Sequence, residues 1–119
     1  MKAFWNDCGR GVEPATPEGV DLDRARMIWF DEVRGVEGNF LGLVDEEGKV
    51  VQFMFDEGIP DDVDDAGHLQ IVWMDYPLPE RKGSYGGRVS IGEVWGLIER
   101  VFIEGADYRR VEGLKFVLW

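Results

Sequence analysis

The chain has 119 residues, the length of one domain that can bury a core without disulfides or metal. Hydrophobic residues make up 45% and aromatics 13%, with five Trp, so the composition argues against intrinsic disorder despite the high charge. A net charge of −11 and a pI near 4.4 argue against direct contact with nucleic acid or an anionic membrane, whose phosphates need Lys and Arg; a basic protein partner is permitted, and solubility alone would also account for the acidity.

A single cysteine, Cys8, leaves no internal disulfide and suits a reducing compartment. The opening residues Met1 to Asp7 lack the apolar core of a signal peptide, and no apolar run approaches the roughly 20 residues that span a bilayer. The expected location is cytoplasmic.

In chain order, Lys2 to Trp5 reads as a short edge strand. The segment Asn6 to Glu18 is rich in Gly, Pro and Asp and reads as irregular. From Asp21, a good N-cap, Leu22, Ala25, Trp29 and Val33 recur at helical spacing, predicting a helix over 22–34 with Gly35 as its stop. Met27-Ile28-Trp29-Phe30, four apolar residues in a row, would equally suit a buried strand.

Asn39 to Val44 and Lys49 to Phe55 read as strands joined by the turn Asp45-Glu46-Glu47-Gly48. They are too apolar for one covered face, which predicts a central hairpin. Asp56 to Gly67 reads as a loop, because its Pro and crowded carboxylates oppose regular packing. Between Asp45 and Asp65 nine acids face one base, Lys49, a local charge of −8. Whether turn and loop form one acidic patch depends on whether they share an end of the sheet.

His68 to Tyr76 reads as a third strand, ended by Pro77 and Pro79. Pro77 to Gly87 reads as an excursion carrying Arg81, Lys82 and Tyr85. Ser90-Ile91-Gly92-Glu93 is a capping-box pattern, followed by Val94, Trp95, Ile98, Val101 and Phe102 on one face and Gly105 as the stop. Leu114 to Trp119 reads as a last strand paired inside the sheet, since a free edge so apolar would aggregate. The order β, α, β, β, β, α, β predicts a single α+β domain over 1–119: two layers, with a mainly antiparallel sheet of about four to five strands and two helices on one face.

Signals for catalysis are weak. Cys8 and His68 would have to meet by tertiary folding to form a nucleophile and base. Asp61, Asp62, Asp64 and Asp65 lack the alternating ligands, mid-loop Gly and closing Glu of a calcium loop. Gly83 to Gly87 lacks the Lys of a phosphate loop. No catalytic residue, metal site or cofactor is therefore assigned. Most aromatic residues belong in a core, with Tyr76, Tyr85 and Trp119 placed at loops or a terminus, where a ring can anchor a partner.

The succession of a helix, Asn39-Phe40-Leu41-Gly42-Leu43, a strand with Val51-Gln52-Phe53, a strand ending Asp75-Tyr76-Pro77-Leu78-Pro79, a capped helix and a closing strand resembles the small acidic immunity proteins of bacterial polymorphic and contact-dependent toxin systems, particularly those paired with deaminase toxins. It is similar also to uncharacterised bacterial domains of that layout. The resemblance implies a non-catalytic inhibitor that occludes the active site of a cognate toxin, often a basic nuclease or deaminase; the chain itself is expected to be a monomer or a homodimer. No functional residue carries over from the family. Charge steering then points to Asp56, Glu57, Asp61, Asp62, Asp64 and Asp65, with Tyr76 and Tyr85 as anchors. The rival expectation is a small ligand-binding or hydrolytic domain with a pocket near Trp73 and Tyr76. A third is a subunit that dimerises through an exposed strand.

Overall fold

A computed structural model describes residues 1–119. The fold is α+β, built on an antiparallel sheet of eight strands rather than the four to five expected. These are β1 (Lys2–Asp7), β2 (Arg10–Val12), β3 (Glu18–Gly19), β4 (Phe40–Val44), β5 (Val50–Phe55), β6 (Val72–Leu78), β7 (Gly83–Val89) and β8 (Lys115–Leu118). Their order is β2-β1-β4-β5-β6-β7-β8, with β3 pairing β1 beside β2. The expected central hairpin is β4–β5, closed by Asp45, whose carboxylate accepts from the backbone N–H of Glu47 and of Lys49 at 2.9 Å each.

Three strands account for the excess. The supposedly irregular segment after Trp5 holds β2 and β3, so β1 is flanked on both sides instead of lying at an edge. The supposed excursion after Pro77 is a β6–β7 hairpin turned by a short 3-10 segment, Pro79–Arg81. The third strand begins later than expected and runs through Pro77. That proline is tolerated because β5 pairs β6 only as far as Asp75, and the ladder register turns the Pro77 nitrogen toward the vacated side.

Glycines in β7 are sites of close approach. A Cβ on Gly86 would lie 2.7 Å from the Trp73 indole, and one on Gly83 2.5 Å from the Phe116 ring. The same device recurs in β4, where the Phe4 ring lies directly on Gly42.

The first helix, α1 (Leu22–Met27), is capped by Asp21, whose carboxylate accepts from the Arg24 N–H at 2.8 Å. It passes into a π-helical turn, Ile28–Glu32, closed by the Val33 N–H on the Ile28 carbonyl at 2.9 Å. The wider turn is how four consecutive apolar residues are accommodated: Ile28, Trp29 and Val33 are buried, while Phe30 is 74% exposed. Trp29 stacks on Phe55 with centroids 4.9 Å apart and planes 4° apart.

The second helix, α2 (Ile91–Glu104), carries the expected capping box: Ser90 accepts from the Glu93 N–H at 3.1 Å, and the Glu93 carboxylate accepts from the Ser90 N–H at 2.8 Å. Such a box stabilises a helix by about 1 kcal/mol. Ala25, Ile28, Trp29, Val94, Ile98 and Val101 share one hydrophobic cluster with Leu41, Leu43, Val51, Phe53, Phe55, Val72, Met74 and Tyr76. Phe4 is buried outside that cluster, against Phe40 and Gly42.

The last strand departs from expectation. β8 is paired only to β7 and forms one edge of the sheet.

Candidate functional site

The two acidic segments occupy opposite ends of β5, which spans roughly 20 Å at the usual strand rise, so they form two patches. Acids of the hairpin turn are engaged internally. Asp45 also accepts from the Ala106 N–H at 2.9 Å, Glu46 holds the N-terminal ammonium at 2.8 Å, which lowers its pKa, and Glu47 pairs with Lys49 at 3.2 Å.

The loop from Asp56 to Gly67 differs. Asp56 pairs with Arg88 at 2.8 Å while its other carboxylate oxygen is buried without a hydrogen-bond partner, which corrects the expectation of a free steering charge there. Glu57, Asp61, Asp62, Asp64 and Asp65 are exposed, and none forms an ion pair. Asp65 accepts from the Gly67 N–H at 3.0 Å, an Asx turn that shapes the end of the loop.

Backbone hydrogen bonds seat this loop on both helical elements. The Ile59 N–H donates to the Gly35 carbonyl at 2.9 Å, just beyond the π turn. Gly92 and Ile91, in the first turn of α2, donate to the carbonyls of Gly67 and Leu69 at 2.8 and 3.2 Å. Those same elements bring together Phe30 and Trp95, in edge-to-face contact at 6.2 Å, 74% and 43% exposed. The Arg26 guanidinium lies 4.7 Å from the Trp95 ring centre, donates to the Trp95 carbonyl and pairs with Glu99 at 2.6 Å, so this ring is held in place. Met27 is also exposed here. An exposed aromatic pair on the elements that hold a loop of uncompensated acids has the composition of a protein-binding hot spot with a charged rim.

The predicted anchors fare differently. Tyr76 is 2% exposed and belongs to the core cluster, and burial pushes its phenol pKa far up; this corrects its reading as an accessible anchor. Val72, Met74 and Tyr76 are alternate residues of one strand, so the apolar first two already signalled an inward ring. Tyr85 is half-buried, stacked on Tyr108 at 4.1 Å and 4°, with Arg81 hydrogen-bonded to its hydroxyl and lying over Phe116 at 4.5 Å. Trp95 was missed because helical spacing reads apolar residues as core, and Phe30 because it lies in an apolar run that reads as buried. The available signal was the run Met27 to Phe30, which no single helix face can bury.

A pocket shared by Trp73 and Tyr76 does not form, since those residues lie on opposite faces of β6. A cleft of about 430 Å³ does open where β5 and β6 part beyond Asp75, lined by Lys49, Tyr76, Leu78, Arg81, Asp107 and Arg109 among others. Its charges are largely taken up. Asp107 is clamped by Arg109 at 2.9 Å, which holds its carboxyl below the usual range and makes it a poor general acid. Lys49 is bound to Glu47. No family model, curated protein or solved structure matches the chain.

Proposed function

We propose that this chain is a non-catalytic acidic protein-binding domain of two layers, sheet and helices, acting as an immunity protein: it occludes the active site of a cognate basic toxin directed at nucleic acid. The observation that carries the reading is the exposed Phe30–Trp95 pair beside a loop whose five outer acids have no internal cation. The acids carry the same sign of charge as the phosphates such an enzyme is built to hold, and they steer a basic surface toward the rings. Burying Phe30 against a partner contributes about 2 kcal/mol, enough to matter as a hot spot.

The test is affinity capture from the source cell at low salt with three baits: wild type, Phe30→Ala/Trp95→Ala, and a variant with Asp61, Asp62, Asp64 and Asp65 changed to Asn. A basic enzyme held by wild type, released by both variants and inhibited when bound is the expected result. A captured enzyme indifferent to both variants would remove this surface from the mechanism. The rival reading, a small-ligand domain, is favoured only by the cleft beside Tyr76. It predicts thermal stabilisation by a small molecule that Tyr108→Ala, in the lining of that cleft, abolishes and Phe30→Ala leaves intact.

A further inference from the structure

The two edges of the sheet are built differently. On one side β1 is bordered by β2 and β3, strands of three and two residues, with Gly11 at φ +139° and Arg10 exposed. Short, charged and glycine-broken borders are how sheets avoid pairing with other chains. The β8 edge, by contrast, is Lys115-Phe116-Val117-Leu118 running into Trp119, without Gly or Pro and with one charge. Val117, Leu118 and Trp119 are 47%, 71% and 68% exposed.

Register fixes which backbone groups are free. The Trp119 N–H donates to the Lys82 carbonyl at 2.9 Å, and β8 pairs Val117 with Ser84 and Lys115 with Gly86. Because the hydrogen-bonding direction alternates along a strand, Lys115, Val117 and Trp119 spend their groups on β7, and Phe116 and Leu118 aim theirs outward.

We infer that β8 is a homodimerisation edge, pairing antiparallel with β8 of a second copy about a two-fold axis at Val117. In that register Phe116 lies opposite Leu118 of the second copy and Leu118 opposite its Phe116. The outward N–H and C=O groups therefore meet as two hydrogen-bonded pairs. Val117 meets its own copy on the axis, and the one charged side chain, Lys115, faces the Trp119 ring, a cation–π contact instead of a like-charge clash. The strand is thus complementary to itself, which selects a second copy as its occupant. One continuous sheet then runs through both molecules, with the Phe30–Trp95 surfaces left free, so the dimer does not depend on the function proposed above.

Each copy carries −11, so long-range repulsion opposes the dimer and added salt strengthens it, opposite to the salt response of an acidic loop on a basic partner. Sedimentation equilibrium is the test. Wild type is expected to move from 13.6 kDa toward twice that mass as concentration rises, more readily at high salt. Val117→Lys and Val117→Glu, at a half-exposed site that leaves the circular dichroism spectrum unchanged, each place like charges together on the axis and are expected to stay monomeric. Their equimolar mixture is expected to recover the doubled mass. Wild type that stays monomeric at every concentration and salt, single variants that still dimerise, or a mixture that stays monomeric would overturn the inference.

Discussion

Asn39 is the most informative residue to remove. It is buried just before β4, and its amide is fully used: Oδ1 accepts from the Cys8 N–H at 2.8 Å, and Nδ2 donates to Asp7 Oδ1 and to the Arg34 carbonyl at 3.0 Å each. It thereby ties the β1–β2 turn, where Cys8 sits at φ +52°, to the chain leaving the π turn. Asn39→Ala strands three partners. Net values near 1 kcal/mol per neutral hydrogen bond, somewhat more for the carboxylate, sum to about 3 kcal/mol. An entropy of about 2.1 cal/mol/K per residue puts one kcal/mol at about 4 °C for a chain this long, so the midpoint should fall by about 12 °C. Thermal unfolding followed by circular dichroism reads this directly, with denaturant slopes confirming two-state behaviour. Asn39→Asp keeps the acceptor for Cys8 but sets a carboxylate against Asp7 and the Arg34 carbonyl. Its deficit should exceed that of Ala at neutral pH and shrink in acid as the new group protonates. A drop below about 3 °C for Asn39→Ala would mean that water replaces the amide and would refute this reasoning.

Two glycines should respond with opposite sign to the same change. Gly42→Ala puts a methyl 2.1 Å from the buried Phe4 ring and should cost about 1–3 kcal/mol, whereas Gly96→Ala, in α2 with nothing within 4 Å, should stabilise by about 1 kcal/mol; equal shifts in urea midpoints would contradict the packing described. Acid should act through Asp7, whose carboxyl is held below its ordinary value chiefly by the hydrogen bond from the Arg34 side chain. A lowered folded-state value stabilises above the unfolded value, about 3.9, and that contribution is lost as pH falls through the lower folded one. The stability gap between wild type and Asp7→Asn should therefore be constant from neutral pH to about 5 and close below about 4; a gap that persists unchanged into strong acid would exclude the pairing as its source.

Local chemistry that needs no distant partner was readable in advance. The Asp45–Gly48 turn, the Ser90–Glu93 box and the Gly105 stop are each specified within a few residues, and each forms as expected. β7 was hidden because Gly83-Ser84-Tyr85-Gly86-Gly87 looks like a loop. Its glycines are small because Phe116 and Trp73, far off in sequence or across the ladder, lie on them. The edge position of β8 was equally illegible, since pairing order depends on the whole sheet. Of the candidate site, the acidic loop was visible as composition. Its seating on the π turn and on α2, which selects Phe30 and Trp95, arises from tertiary hydrogen bonds.

The sheet order also dictates when each strand can find its place. β4 to β8 follow one another as neighbours, and the β4–β5 and β6–β7 links are short turns, so those two hairpins can form by local closure. β1 is made first yet pairs with β4, Lys2 opposite Val44, and must wait until α1 and the π turn have been bypassed. Closing that long loop is an entropic cost met only once a partner strand exists. Substitutions in β1 such as at Ala3 or Phe4 should therefore govern how fast the native state comes apart more than how fast it is reached.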